Sequence, residues 1–347
     1  MRLWKLRKSL IAVVAGMCLA LGVSGVASAR ADVAHQALSQ DAQSDEPPLS
    51  LTYAYVLTNN VPVYAGPIAP GSLEALNPVR TLGAGYLWVS LYNTQPVANN
   101  GRSWYRVNSS EYVLADHLAI YRPSQFQGLT LSAHPEHSFA WMVYSAQPSA
   151  KPGEAPLKDT PVLARYTPVT IFEEQKAGDW MWYRVGPDQW VEQRKVGMVK
   201  PASRPDGVAR GEKWIEVNLY EQTLAAYEGD RMVYATLVSS GLPYWKTDTG
   251  LFRVWSKVKQ AKMSGREGFD DYYFLEDVPW TTYFNGAFAL HAAYWHDRFG
   301  FPHSHGCVNL APKDAQWIFN WATPATGPTN WTMASADNVG TWVWVHD

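Results

Sequence analysis

One short stretch near the carboxyl end holds most of the side chains that could perform covalent chemistry. Four of the nine histidines lie between positions 291 and 305, and Cys307 follows them almost directly. A cysteine attacks a carbonyl as its thiolate, so a nearby imidazole that removes the thiol proton would make Cys307 a nucleophile. The combination predicts acyl transfer through a cysteine.

The positions around Cys307 suggest a part for each neighbour. His291 ends a strand-like run, which is a rigid mount for a base, and a third group must orient its imidazole. Because Ala292 follows, an orienting group from that position can only be the backbone carbonyl. Gly306 allows a tight bend, and the amides of Gly306 and Cys307 are candidate oxyanion donors. His305 would point to the same side as Cys307 if this segment is extended.

The amino-terminal end predicts export. Residues 1–29 have a basic start and an uncharged run that ends in Ala-Ser-Ala, as in a cleaved signal peptide. Cleavage there removes Cys18 and leaves Cys307 as the single thiol of a protein in the cell wall or periplasm. The run is also long enough for an uncleaved membrane anchor. Residues 30–50 are rich in Ala, Gln, Ser, Asp and Pro, and we predict a flexible linker.

Two segments in the middle of the chain resemble copies of one another. Trp-Tyr-Arg-Val occurs at 104–107 and at 182–185, and each copy has an aromatic-Val pair eight residues after its tryptophan. Short β-type runs with Gly, Pro and Asn turns surround both copies and are typical of small β-barrels. The segments resemble bacterial SH3-like domains, which we place at 51–122 and 130–200. Their aromatic residues form cores or a wall-binding surface. The predicted strands are 61–64, 86–91, 162–166 and 169–172.

The last part of the chain is predicted to be mainly β with one or two helices. A linker at 201–211, which carries Pro, Arg and Gly, precedes it. Residues 312–321 begin with proline and carry an apolar stripe of helical period, so we expect a helix there. Residues 262–268 are predicted to form a loop. The predicted strands are 214–219, 222–227, 232–239, 252–255, 287–291 and 341–345.

The hexapeptide Ser-His-Gly-Cys-Val-Asn at 304–309, with His291 upstream, resembles the signature of the L,D-transpeptidase catalytic family, also called the YkuD domain. The resemblance covers residues 212–346 and includes Thr-Asp-Thr-Gly at 247–250. It implies a mainly β fold, in which a β-rich catalytic domain with one or two helices follows two small SH3-like barrels.

Carried over position by position, the resemblance implies Cys307 as nucleophile and His291 as base, supported by Ser304, His305 and Gly306. The implied reaction attacks a tetrapeptide stem of peptidoglycan, releases its terminal D-alanine and forms a thioester. The acyl group then passes to an amine or to water. The implied reaction requires no metal and no cofactor.

Three further residues are predicted to bind the substrate. We expect Asn309 to brace the turn behind the cysteine and contact substrate, with Met263 and Tyr294 beside it; for Tyr294, ordinary packing is the alternative. The partners implied are stem peptides and, as a further candidate, glycan. A net charge of −2 gives no basic face for nucleic acid, and nothing in the sequence demands more than a monomer.

Other interpretations of the same residues stay open. Cys307 could be an inert buried thiol. His296, His303, His305 and Cys307 could bind zinc, although their spacing is not that of structural zinc sites. Otherwise His296 and His303 are expected to be loop or rim residues without a catalytic role. As a different class of function, the chain could be a wall-binding scaffold that performs no catalysis.

Overall fold

The computed structural model describes residues 52–68, 77–99, 101–108 and 110–347. This part of the chain is mainly β and holds one α-helix, as predicted. The predicted signal peptide and the linker at 30–50 lie outside the described residues. A search of the described ranges for a helix long and apolar enough to span a membrane finds none.

Short strands of the amino-terminal side form the first β-unit: β1 (Thr52–Val56), β2 (Val61–Val63), β3 (Arg80–Leu82), β4 (Tyr86–Leu91), β5 (Val97–Asn99), β6 (Arg102–Val107), β7 (Glu111–Leu114) and β8 (Leu118–Tyr121). Strand β1 pairs with β4 and β8, and β6 pairs with β5 and β7, all antiparallel. Alternate valine, leucine and alanine side chains bury a small core of their own. A separate strand, β9 (Leu129–Thr130), follows this unit.

Two three-stranded sheets form the second β-unit: β10 (Phe139–Met142), β11 (Pro168–Thr170), β12 (Glu173–Ala177), β13 (Trp180–Gly186), β14 (Gln189–Glu192) and β15 (Val196–Val199). The strand predicted at 162–166 is wrong. Leu163 makes an isolated bridge to Ala146, and the chain then turns through Tyr166 at a φ of 70°. A left-handed residue cannot continue a strand.

The two Trp-Tyr-Arg-Val copies lie on comparable strands. The first lies on β6 and the second on β13, and each strand forms a hairpin with the next one. A 3₁₀-helical turn follows the second strand of each hairpin, at Ala115–His117 and at Gln193–Lys195. Their buried faces differ, since Trp104 is buried in the first copy and Tyr183 in the second. The SH3-like class of both units and their boundaries at 51–122 and 130–200 stay predictions.

The C-terminal unit holds the longest strands and the helix: β16 (Lys213–Asn218), β17 (Thr223–Glu228), β18 (Arg231–Ser239), β19 (Gly250–Arg253), β20 (Ser256–Gly265), β21 (Tyr273–Asn285), β22 (Phe288–Ala292), β23 (Val308–Leu310), α1 (Pro312–Trp321), β24 (Trp331–Met333) and β25 (Trp342–His346). The first and last strands, β16 and β25, pair in parallel. Strand β22 lies between β21 and β23. The predicted helix is confirmed, and each predicted strand of this region is confirmed with bounds shifted by at most two residues, as at 252–255, where β19 ends at Arg253.

The loop predicted at 262–268 is confirmed for 266–268 and wrong for 262–265, because β20 runs through Met263 to Gly265. It forms a hairpin with β21 that pairs Met263 with Leu275 and Gly265 with Tyr273. The polar residues that suggested a loop are the exposed side of this ladder, since Lys262 and Ser264 alternate with partly buried Met263. Strand alternation therefore accounts for the mixed composition.

Helix α1 supports the strand that carries the predicted base. Its apolar side, with Ile318 and Phe319 buried, packs against β21 and β22. At its carboxyl end the buried ammonium of Lys257 donates to the carbonyl oxygens of Ala322 and Pro324, at 2.6 and 2.9 Å. Both carbonyls lie just past the end of the helix, where no backbone amide of a further helical turn follows to donate to them.

The first β-unit and the C-terminal unit share one sheet, and all three units contribute side chains to one core cluster. Strand β4 of the first β-unit pairs in parallel with β21, and β9 pairs with β18. The rings of Tyr53 and Tyr294 stack with centroids 3.6 Å apart. Asp297 accepts hydrogen bonds from the hydroxyls of Ser124 and Tyr166, at 2.6 and 2.8 Å. Buried contacts therefore tie the C-terminal unit to the rest of the chain.

Candidate active site

The imidazole of His291 is buried on strand β22 and held by the backbone. Only 2% of the residue is exposed. Its Nδ1 donates to the carbonyl oxygen of Ala292 at 3.2 Å, as the sequence predicted, so Nε2 is the nitrogen that can accept a proton. Burial lowers the pKa of His291 to about 4, because the imidazolium would lose its hydration. The ring is therefore a neutral base at pH 7.

A tight turn places Cys307 directly before β23. The hydroxyl of Ser304 donates to the carbonyl oxygen of Cys307 at 2.5 Å and accepts from the amide of Gly306 at 3.1 Å. Thr247 donates to the Gly306 carbonyl oxygen at 2.9 Å. Gly306 has a φ of 120°, and a Cβ there would lie 2.4 Å from the ring of Phe288. Only glycine fits this position.

The turn changes one sequence prediction. The amide of Gly306 was expected to donate to an oxyanion, but Ser304 already accepts its hydrogen. Of the two amides predicted to donate to the oxyanion, those of Gly306 and Cys307, only the amide of Cys307 remains a candidate. Ser304 and Gly306 thus shape the loop that carries the cysteine.

The thiol of Cys307 is half-buried, with Sγ 3.8 Å from the carbonyl oxygen of Ala287. Burial raises its pKa to about 11, since the thiolate would lose its hydration. The shift is opposite in direction to that of His291. At neutral pH the two groups are therefore a thiol and an uncharged imidazole, and a thiolate is not preformed.

Both groups open into one cavity of about 440 Å³ with a mostly apolar lining. Four other predicted site residues line it: Ser304, His305, Asn309 and Met263. Gly306 lies in the turn behind them. The structure thus brings together the predicted residues except Tyr294, while their catalytic and binding roles stay predictions.

Tyr294 does not line this cavity, contrary to prediction. It is completely buried, stacks on Tyr53 of the first β-unit and donates its hydroxyl to the carbonyl oxygen of Glu276 at 2.7 Å. The chain after β22 turns toward the first β-unit, so this aromatic residue packs between units. The packing alternative is the one that the structure supports.

His305 lies exposed at the cavity rim, between two aromatic rings. The centroids of Trp245 and Tyr273 are 4.2 and 5.0 Å from that of the imidazole. Desolvation lowers the pKa of His305 below its usual range, which outweighs the attraction of Asp271. His305 is therefore positioned as a neutral part of the wall.

Asn309 and His296 form a buried pair behind the cysteine. The Arg298 amide donates to His296 Nδ1 at 3.1 Å, so a neutral ring carries its proton on Nε2. Nε2 lies 2.9 Å from the side-chain amide of Asn309. When the oxygen of this amide faces the ring, it accepts a hydrogen bond from the Nε2–H. His296 lies in a loop, which is one of the two predicted positions, but it is buried there and is not at the rim.

His303 lines the cavity, with its ring centroid 4.3 Å from that of His296. Within the described ranges, no group of three or more His, Cys, Asp or Glu side chains is arranged to hold a metal ion.

Sequence reasoning did not select several residues of the cavity wall: Tyr86, Tyr273, Leu275, Ala287, Phe288 and Trp295. Phe288 could have been found, because it begins the strand that carries His291. Tyr86 carries no such signal, since it belongs to the first β-unit and reaches the cavity only through the pairing of β4 with β21.

Comparison with known proteins finds a similarity that is confined to the C-terminal unit for the family model. Residues 212–345 match the family model described as the L,D-transpeptidase catalytic domain, YkuD. Over 122 residues the chain is 29% identical to "Putative L,D-transpeptidase YciB" of Bacillus subtilis (strain 168), which covers 30% of this chain. The match spans 59% of that relative's length.

Solved structures of proteins named as L,D-transpeptidases are also similar to this chain. An L,D-transpeptidase (Yku) from Stackebrandtia nassauensis is 25% identical, with 40% of this chain and 57% of that chain covered and a TM-score of 0.28. An L,D-transpeptidase from Mycobacterium smegmatis is 17% identical, with 82% of this chain and 100% of that chain covered and a TM-score of 0.34.

Proposed function

On the premise that residues 212–345 form an L,D-transpeptidase catalytic domain, we propose that this chain is a peptidoglycan L,D-transpeptidase with Cys307 as its nucleophile. One observation carries the proposal. The thiol shares its cavity with a neutral imidazole whose Nδ1 proton is held by a backbone carbonyl, which is the arrangement a general base needs.

The first step forms the acyl-enzyme. His291 Nε2 accepts the thiol proton while Sγ of Cys307 bonds to the carbonyl carbon that precedes the terminal D-alanine of a tetrapeptide stem. The carbon–nitrogen bond to D-alanine then breaks, and the imidazolium returns the proton to the leaving amine. The amide of Cys307 is the candidate donor to the oxyanion of the tetrahedral intermediate.

The second step releases the cysteine. An acceptor amine gives a proton to His291, and its nitrogen bonds to the thioester carbon as the carbon–sulfur bond breaks. The proton then returns to sulfur, and the product is a new amide cross-link. With water as acceptor, the same path gives a free carboxylate, and the activity is that of an L,D-carboxypeptidase.

The proposal includes the place of action and the partners. Stem peptides lie outside the cytoplasmic membrane, so the signal at 1–29 exports the enzyme to the cell wall or periplasm, where it acts as a monomer. The two β-units are candidates for glycan contact. Sequencing the amino terminus of the exported protein tests cleavage after Ala29, with an uncleaved terminus as the contrary result.

Intact-mass spectrometry tests the function. Wild-type protein without its signal is incubated with a tetrapeptide-stem muropeptide and, separately, with a carbapenem, beside Cys307→Ala. We expect a covalent adduct on the wild type alone, together with release of D-alanine from the muropeptide. Product masses then separate amine from water as acceptor. A folded wild type that forms no adduct and releases no D-alanine would contradict the proposal and favour the wall-binding scaffold.

A further inference from the structure

One wall of the cavity around Cys307 does not come from the C-terminal unit. Tyr86, at the start of β4 in the first β-unit, lines the cavity together with Tyr273 and Leu275 of β21. It is 39% exposed, whereas its strand neighbours Leu87 and Trp88 are buried. Part of the Tyr86 ring is therefore open to a molecule in the cavity.

The backbone fixes Tyr86 at this position. Its amide donates to the carbonyl oxygen of Tyr272 at 2.9 Å, and its Cα lies opposite that of Tyr273 in the parallel pairing. Gly85, at a φ of 136°, allows this approach, because a Cβ there would lie 2.5 Å from the same oxygen. The contact between units is thus built at the edge of the cavity.

Aromatic neighbours support the Tyr86 ring. The centroids of Tyr55 and Trp88 lie 5.5 and 6.0 Å from it, and Trp88 in turn lies 5.9 Å from Tyr294. Burial raises the pKa of Tyr86, so the phenol is uncharged. A ring that is already held loses little conformational freedom when a ligand packs against it.

We infer that Tyr86 is a substrate-binding residue, supplied by the first β-unit, whose ring packs against the part of the stem peptide that remains bonded to Cys307. This inference rests on the proposed function. The acyl part retained after the first step is larger than the single D-alanine that leaves, so it is the part that extends along the wall away from the sulfur. The first β-unit then completes the donor site in addition to packing against the catalytic unit.

Steady-state kinetics of D-alanine release from a tetrapeptide-stem muropeptide test the inference, with carbapenem acylation of Cys307 as a second reaction. The variants are Tyr86→Ala and Tyr86→Phe. The control is Tyr55→Ala, which alters the same aromatic cluster at a described residue outside the cavity lining. If circular dichroism shows Tyr86→Ala to be unfolded, Tyr86→Leu replaces it.

For Tyr86→Ala we expect KM to rise roughly tenfold, which corresponds to about 1.4 kcal/mol of binding free energy. Its kcat and carbapenem acylation should stay within about twofold of wild type, because the chemistry at Cys307 is unchanged. Tyr86→Phe should keep the wild-type KM. Tyr55→Ala should raise KM by less than about twofold, because it keeps the Tyr86 ring and removes only one of the rings that support it. An unchanged KM in Tyr86→Ala, or an equal rise in Tyr55→Ala, would overturn the inference alone. A folded wild type that releases no D-alanine would overturn the proposed function as well.

Discussion

At the scale of single residues, burial has opposite effects on the pKa values of the two groups proposed to react. Loss of hydration disfavours an imidazolium and equally disfavours a thiolate. The pKa of His291 therefore falls to about 4 while that of Cys307 rises to about 11. Between these values both groups are neutral, so proton transfer and attack on the substrate must accompany one another.

The rate constant for carbapenem acylation of Cys307 should consequently vary little between about pH 5 and 9. It should decrease as pH falls toward 4, because protonated His291 cannot accept the thiol proton. His291→Gln should lower the plateau by roughly 10²- to 10⁴-fold, while His303→Gln should leave the shape of the profile unchanged. Stopped-flow measurement across this range is the check. A tenfold rise per pH unit up to about pH 8.5 would show instead that a solvent-generated thiolate reacts.

At the scale of elements, the strand that carries the predicted base depends on the helix packed behind it. Helix α1 ends at Trp321, and the ammonium of Lys257 binds two carbonyl oxygens of the segment that follows. Lys257 is 1% exposed, so its charge is held away from water beside the ring of Phe319. Desolvation lowers its pKa to about 8, with a smaller contribution from Lys213.

This arrangement makes stability depend on pH in one direction. The folded pKa of Lys257 lies below the unfolded value of 10.5, so the unfolded chain binds more protons between about pH 8 and 10.5. The free energy of unfolding should rise with pH across this window by roughly 3 kcal/mol through this group.

Lys257→Met should remove that rise. It should also cost about 1 to 3 kcal/mol at pH 7, since two buried carbonyls lose a donor. Urea unfolding at pH 7.5 and 10 tests both effects. Lys259→Met is the matched control, because that ammonium binds the Pro328 carbonyl at the surface. Equal pH slopes in wild type and Lys257→Met would refute the account.

At the scale of the whole molecule, the junction between the first β-unit and the C-terminal unit holds a carboxyl group. The side-chain carboxyl of Glu276 on β21 accepts a hydrogen bond from the Ser90 amide at 2.9 Å. Asp277 is the next residue of the same strand. Desolvation, followed by the charge of Asp277, raises the pKa of Glu276 to about 7. The Ser90 amide and Arg80 oppose this rise, and Glu111 adds to it. Ionisation at neutral pH is therefore unfavourable in the folded chain.

The sign of the effect follows from the raised pKa. The contribution of Glu276 to stability is complete below about pH 4.5 and is lost as pH rises through 7. The wild type should lose on the order of 2 kcal/mol between pH 5 and 8 through this group. Glu276→Gln should lack this loss, while Glu267→Gln, on the exposed end of the hairpin, should keep it. Thermal unfolding at both pH values is the measurement, and parallel losses in wild type and Glu276→Gln would argue against it.

Local patterns in the sequence determined much of the C-terminal unit. Helix α1 begins and ends where proline and the apolar stripe predict, and β16, β17 and β18 lie within a residue or two of their predicted bounds. The hexapeptide at 304–309 predicted the turn that carries Cys307, and Ala292 predicted the carbonyl that holds His291. These features depend on residues close together in the chain, so side-chain chemistry and strand period suffice to predict them.

Tertiary structure alone decided which surfaces meet. Tyr294 has the composition of a groove residue, yet it is buried because Tyr53 of a distant strand stacks on it. Tyr86 reaches the cavity only because β4 adds to the edge of β21. The first part of the loop predicted at 262–268, residues 262–265, is a strand because the same β21 offers it a partner. Strand pairing between distant segments depends on hydrogen bonds and packing that no local window contains. The sequence therefore predicted a nucleophile and its base, while the fold decided the walls around them.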